Sequence, residues 1–149
     1  MRSRVTTELL ARAVALARAD PEREVCGLLL AREGAVDLLP ARNVAPDPGR
    51  RFEIDPATLL TAHRDQRRGG PAVIGCYHSH PSGSPEPSPR DAADAEPNGW
   101  LWLIVGRDGP RLWRAVPDGA IHGRFDPAPL ACVDWPPAPE TALSSKATL

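Results

Sequence analysis

Cysteine is scarce in this chain of 149 residues, and the three cysteines that occur, Cys26, Cys76 and Cys132, lie far apart. An odd number of distant cysteines excludes a disulfide framework, and the lack of a C-x-x-C pair excludes a metal knuckle built on thiolates. Free thiols are typical of a reducing compartment. We therefore expect a cytoplasmic protein.

Long apolar runs and an excess of either charge are also lacking. No run of eighteen apolar residues occurs, and residues 1–20 carry Glu8 and four arginines. Neither a membrane span nor a signal peptide is expected from such a segment. Lys and Arg number 18 against 19 Asp and Glu, which leaves a net charge of -1. That charge offers no general attraction to nucleic acid or to an anionic membrane, and we expect neither as a partner.

The composition is that of an ordinary globular domain, with 42% hydrophobic and 25% charged residues. From Asp126 onward, however, prolines are frequent and hydrophobic periodicity is weak. We therefore predict a domain over residues 1–125 and a tail rich in proline, alanine and serine over 126–149. Two interpretations of the tail remain open: it is loose, or it wraps the domain through Leu130 and Trp135.

Helical and extended patterns follow one another along the predicted domain. A first helix begins behind a cap at Thr6 or Thr7 and ends at Asp20, and a second begins after the cap Asp55. Some strands are joined as hairpins, which favours a mixed sheet covered by helices, a layered α/β domain. The predicted strands are 24–31, 35–45, 51–54, 72–78, 100–106, 111–116 and 120–125.

The stretch GCYHSHPSGSPEPSPRD, residues 75–91, carries the main chemical signal. Residues two apart in a strand point to the same face, so His78 and His80 project together, with Cα atoms roughly 6.5 Å apart. Two imidazoles at that separation can converge on one ion at Zn–N distances of about 2.0 to 2.1 Å. Pro81 ends strand pairing and releases the chain into a loop. The loop can then return a third ligand.

Asp91 is the natural third ligand, because Ser88 stands at a helix cap and Pro89 at the first helical position. Two histidines and one carboxylate leave a fourth position open, as in catalytic zinc sites, and predict a hydrolase. Cys76 lies about 13 Å along the strand from His80, too far for both to bind one ion. Histidine-rich ligation favours zinc over calcium or magnesium.

Simpler interpretations exist for each of these features. An isolated H-x-H is usually accidental, and S-x-x-D before a helix is often only a capping box. Glu22, Glu24 and Glu96 are all candidate general bases, and the residues alone do not choose among them. Glu24 shares strand parity with Cys26, which favours an inward direction.

The same stretch resembles the motif of the JAMM (MPN-plus) zinc metalloprotease family: H-S/T-H-P, six residues, S, two residues, D. EVCGLLL, residues 24–30, resembles the upstream glutamate segment of that family, and NVAPDPGRRFEIDP, residues 43–56, resembles its bacterial branch. The resemblance extends over residues 5–116. It implies a fold similar to cytidine deaminases, with a mixed sheet between helices.

The resemblance also implies the roles of the site residues in a zinc metallopeptidase. His78, His80 and Asp91 would bind one Zn²⁺ per chain. Glu24 would act as general acid and base, and Ser88 would stabilise the tetrahedral intermediate. Each role suits the chemistry of its side chain in amide hydrolysis.

The substrate that the resemblance implies is a peptide or isopeptide bond after the Gly-Gly tail of a ubiquitin-like protein. For the bacterial branch, this partner would be a sulfur carrier protein. A non-catalytic MPN-type protein-binding module is the alternative. A zinc nucleobase deaminase would share the fold, but it requires H-x-E and P-C-x-x-C, and neither motif occurs in the chain.

Overall fold

The computed structural model describes residues 1–137, which form an eight-stranded sheet and three helices. The helices are α1 (Thr7–Ala19), α2 (Pro56–Arg67) and α3 (Pro89–Asp94). The strands are β1 (Arg2–Arg4), β2 (Cys26–Arg32), β3 (Ala35–Ala41), β4 (Ala72–Ser79), β5 (Leu101–Gly106), β6 (Gly109–Gly119), β7 (Gly123–Ala128) and β8 (Cys132–Asp134).

The sheet is mixed and has the order β7-β6-β5-β4-β2-β3-β1-β8. The β4–β5 and β1–β3 pairs are parallel, and the other neighbours are antiparallel. Leu9 and Ala13 of α1 belong to the hydrophobic cluster on one face, whereas Ala62 of α2 and Ala92 of α3 pack into clusters on the other. The predicted layered α-β-α architecture is confirmed.

Both long helices begin where their caps predict. Thr6 caps α1 by accepting a hydrogen bond from the Leu9 amide at 3.1 Å. Asp55 caps α2 by accepting one from the Ala57 amide at 3.1 Å. A cap residue satisfies an amide that lacks a partner in the first turn of its helix, which is why such local signals locate helix starts well.

The sheet extends beyond the predicted domain end at residue 125. β7 continues to Ala128, and β8 pairs antiparallel with β1 at the far edge of the sheet. Leu130 and Trp135 pack against the core on the α1 side. The predicted division therefore falls inside β7, and residues 126–137 wrap the domain. The rest of the predicted tail, 138–149, lies outside the described residues.

The prediction of a strand over residues 51–54 is wrong. Only one isolated bridge forms there, between Asn43 and Ile54. The Glu53 amide donates to the Asn43 side chain at 3.1 Å instead of continuing a ladder. Residues 44–53 consequently form a loop, which places Phe52 beside the end of β4.

Among residues 1–137, no helix combines the length and the apolar character needed to cross a membrane. Cys26, Cys76 and Cys132 are all free thiols, as predicted, and Cys76 lies in the hydrophobic core.

Candidate metal centre

The end of β4 brings two histidine rings together. His78 is the next-to-last residue of β4 and is fully buried, and His80 follows the strand directly. The His80 amide donates to the Val105 carbonyl at 2.9 Å, so His80 keeps close to β5. The two Nε2 atoms lie 3.0 Å apart, so the rings converge on one point.

The N-terminus of α3 brings Asp91 to the same point. Ser88 and Asp91 form a capping box: the Asp91 amide donates to Ser88 Oγ at 3.0 Å, and the Ser88 amide donates to Asp91 Oδ2 at 2.9 Å. The same Oδ2 lies 3.2 Å from His78 Nε2 and 3.1 Å from His80 Nε2. The capping box thus fixes the direction of the carboxylate as well as starting the helix.

These three atoms form a triangle that suits a metal ion. Ligand atoms bound at about 2.0 to 2.1 Å with tetrahedral angles lie roughly 3.3 to 3.4 Å from one another. The observed separations of 3.0, 3.1 and 3.2 Å are only slightly shorter. The triangle therefore needs to expand by only a few tenths of an ångström to accommodate such an ion.

The hydrogen bonds of His80 show that a proton or a cation fits inside this triangle. His80 Nδ1 lies 2.8 Å from the Ser84 carbonyl, which can only accept, so Nδ1 carries the hydrogen. In the neutral ring, the lone pair of Nε2 then faces the Asp91 carboxylate. Two electron-rich atoms at 3.1 Å require a proton or a metal ion between them.

The close contacts among the three side chains, together with their burial, shift the pKa of each one. Burial alone would raise the pKa of Asp91, but hydrogen bonds with His78 and His80 outweigh burial and hold it well below its usual range. Burial lowers the pKa of His78, and Asp91 compensates only in part. For His80, Asp91 and the Ser84 carbonyl outweigh burial and raise the pKa. Asp91 is thus anionic, and His78 is neutral.

Glu24 lies beside this triangle in the segment that leads into β2. It is buried, and its carboxyl offers an oxygen that lies, with the two histidine nitrogens, in a group spanning at most 4.8 Å. Burial raises the pKa of Glu24 to about 7, a rise that the Asp91 charge supports and the His80 charge opposes. Glu24 and Asp91 could each supply a carboxylate ligand, and Asp91 Oδ2 lies within hydrogen-bond distance of both rings.

The structure therefore brings together the residues that the sequence singles out. His78, His80 and Asp91 meet at one point, and Glu24 lies next to them. Ser88 is adjacent through the capping box, where its hydroxyl accepts the Asp91 amide and keeps its own hydrogen available to donate.

Two supporting residues were not predicted from the sequence. Phe52 stacks on the His78 ring, with centroids 4.2 Å apart and planes at 20°. Trp102 meets His78 edge-on with centroids 5.7 Å apart. His78 Nδ1 is buried without a hydrogen-bond partner among the described residues, so these aromatic contacts orient the ring instead. No local sequence signal marks Phe52, because its loop and β4 are distant in sequence.

Access to the centre is narrow. The side chain of His78 is 0% exposed and that of Asp91 6%, whereas that of His80 is 12% exposed. A cleft of about 150 Å³ lies along one side of Ser79 and His80 and includes Arg18 and Arg107 in its lining. Of these three side chains, that of His80 is the one most accessible to a reactant.

A buried donor set of two histidines and a carboxylate, next to a glutamate with a raised pKa, defines a candidate metal-dependent hydrolase. Residues 6–116 match the family model described as prokaryotic homologs of the JAB domain. The chain belongs to this family. The predicted JAMM family membership and fold are thereby confirmed, and the relatives described next confirm the hydrolase class.

Known proteins similar to this chain come from several prokaryotes. A desampylase of Haloferax volcanii is 35% identical over 96 residues, covering 62% of this chain and 69% of the relative. A probable TtuB-protein conjugate cleaving protease of Thermus thermophilus is 36% identical over 99 residues, covering 65% of this chain and 64% of the relative. A solution structure of a Desulfitobacterium hafniense protein has a TM-score of 0.67 and 28% identity, covering 83% of this chain and 87% of the other.

Proposed function

We propose that this protein is a zinc-dependent peptidase that hydrolyses a peptide or isopeptide bond after the Gly-Gly tail of a ubiquitin-like protein. The observation that carries the proposal is the convergence of His78, His80 and Asp91 on one point beside Glu24. A buried cluster of this kind has no evident structural purpose, since it holds ionisable groups at a cost in desolvation.

His78, His80 and Asp91 would hold one Zn²⁺ per chain. The donor set fits, because two neutral imidazole nitrogens and one carboxylate oxygen match the ligands of catalytic zinc sites. When bound, zinc supplies Lewis-acid activation of water and of the substrate carbonyl. The Ser84 carbonyl, through its hydrogen bond to His80 Nδ1, keeps the Nε2 lone pair directed at the metal position.

Glu24 would take the proton from the attacking water and deliver it to the leaving amine. A general base works best when its pKa lies near the operating pH, and burial raises the pKa of Glu24 to about 7. Ser88 would donate its hydroxyl hydrogen to the oxyanion of the tetrahedral intermediate, since its oxygen already accepts the Asp91 amide and fixes the side chain.

The buried position of the site favours a thin substrate segment. Because His80 is the most exposed of the three predicted ligands and its side chain is only 12% exposed, side chains next to the scissile bond would collide with the entrance. A tail of two glycines has no such side chains. The Haloferax relative is named a desampylase and the Thermus relative a probable TtuB-protein conjugate cleaving protease, and these names support a ubiquitin-like partner. We infer that the partner is a sulfur carrier protein in the cytoplasm.

The test is cleavage of sulfur carriers extended at the tail or conjugated through it. Zinc-loaded protein should release the extension, and a chelator should stop the reaction. Glu24→Gln should abolish turnover but retain zinc, and Ser88→Ala should lower kcat roughly 100-fold or more, as loss of an oxyanion donor does. Carriers that bind with no chelator-sensitive cleavage would instead support the non-catalytic binding module.

A further inference from the structure

Glu24 has an unusual support. Within residues 1–137, its carboxyl makes no hydrogen bond, and it lies just before β2 instead of within a ladder. The contacts that hold the Glu24 segment in place are made by its backbone. The backbone of residues 23–25 is hydrogen-bonded through the carbonyl of Arg23, the amide and carbonyl of Glu24, and the amide of Val25.

Ser79 binds the backbone on both sides of Glu24. Its Oγ accepts from the Val25 amide at 2.9 Å and lies 3.5 Å from the Arg23 carbonyl, to which the hydroxyl hydrogen can donate. The Ser79 amide adds a bond to the Val25 carbonyl at 3.0 Å. Ser79 is 2% exposed and stands between His78 and His80, with its side chain on the other side of the strand.

Asn43 binds the backbone of Glu24 itself. Its Nδ2 donates to the Glu24 carbonyl at 2.9 Å and to the Arg51 carbonyl at 3.0 Å. Its Oδ1 accepts from the amides of Ala45 and Glu53 at 3.0 and 3.1 Å. One side chain thus ties the Glu24 segment to the loop of residues 44–53, which carries Phe52 against His78.

From these contacts we infer that Ser79 and Asn43 are positioning residues that aim the Glu24 carboxyl at the metal position. The inference rests on the proposed function and adds two residues that act through Glu24 without touching the substrate. Ser79 connects Glu24 to the strand that carries His78, and Asn43 connects it to the loop that covers His78. Misplacing a catalytic group by about 1 Å can lower the rate about 100-fold.

The experiment compares Ser79→Ala and Asn43→Asp with the wild type in cleavage of a tail-extended sulfur carrier. Asp at position 43 still accepts from Ala45 and Glu53 but cannot donate to Glu24. We expect kcat, per zinc-loaded molecule, to fall at least tenfold in both variants. KM and zinc affinity should stay within about threefold, and Ser79→Thr, which keeps the hydroxyl, should recover most of the activity.

Ser82→Ala is the matched control for Ser79→Ala, because Ser82 is exposed in the loop after His80 and its side chain makes no hydrogen bond within residues 1–137. A second measurement needs no activity: amide hydrogen exchange in the metal-free protein. Ser79→Ala should speed exchange of the Val25 amide at least tenfold and leave the amides of β5 unchanged.

The outcomes separate the inference from the function on which it rests. If the wild type cleaves no carrier, the proposed function fails. In that case, an unchanged hydrogen-exchange rate of the Val25 amide in Ser79→Ala would overturn the inference as well. If the wild type cleaves and both variants keep kcat within twofold, only the inference is overturned. A loss of zinc affinity as large as the loss of kcat would also overturn it, because the two residues would then support the ligands and not Glu24.

Discussion

The buried carboxyl of Glu24 makes the stability of the metal-free protein depend on pH. Its pKa is about 7 in the folded protein and 4.5 in an unfolded chain. Because the folded state binds the carboxyl proton more tightly than the unfolded chain does, the contribution of Glu24 to the free energy of unfolding is most favourable below pH 4.5. It is lost as the pH rises through 7, where the folded protein must hold a buried carboxylate.

The size of this loss follows from the two pKa values. At 1.36 kcal/mol per pKa unit, the interval from 4.5 to about 7 corresponds to about 3 kcal/mol at pH 8. Gln has nearly the shape of Glu and is neutral at every pH, so Glu24→Gln removes the loss. For a chain of 149 residues, about 3 kcal/mol raises Tm by roughly 6 to 12 °C.

The assay is thermal and urea unfolding in the presence of a chelator at pH 5 and at pH 8. Glu24→Gln should be more stable than the wild type at pH 8 and differ from it by less than about 1 kcal/mol at pH 5. Glu22→Gln is the matched control, because Glu22 is exposed two residues away, and it should change neither value. Equal stability of Glu24→Gln and wild type at pH 8 would refute the argument that burial raises the Glu24 pKa.

Three further predictions concern the ligands and the sheet. Asp91→Asn should weaken zinc binding by roughly 100-fold or more, a larger effect than the usual loss of an outer hydrogen-bond partner. Asp94→Asn, at an exposed position, should leave zinc affinity unchanged. Equal zinc affinities of Asp91→Asn and wild type by calorimetry would contradict the role of Asp91 as a ligand. Phe52→Leu removes the stacking on His78 and should lower the free energy of unfolding by about 1 kcal/mol in urea; an unchanged value would show that the stack adds nothing. Gly75→Ala should prevent folding, because its Cβ would collide with the Leu101 carbonyl across β4 and β5; native Tm would disprove this.

Local sequence patterns by themselves determined where the two long helices begin and how the side chains of the candidate metal centre are directed. The caps at Thr6 and Asp55 predict the starts of α1 and α2, because a cap acts within one turn of its own helix. The alternation of β4 predicts that His78 and His80 share a face. The direction of the Asp91 carboxylate is also determined locally, because it depends on a capping box only four residues long.

Only the tertiary structure decided the contacts that join distant segments. Three such contacts leave no periodic signal in the chain: the pairing of β8 with β1, the stacking of Phe52 on His78, and the hydrogen bond from Asn43 to Glu24. Glu24 shows the difference most clearly, since the residues alone did not distinguish it from other glutamates. Its raised pKa arises from burial and from neighbouring charges that only folding brings together.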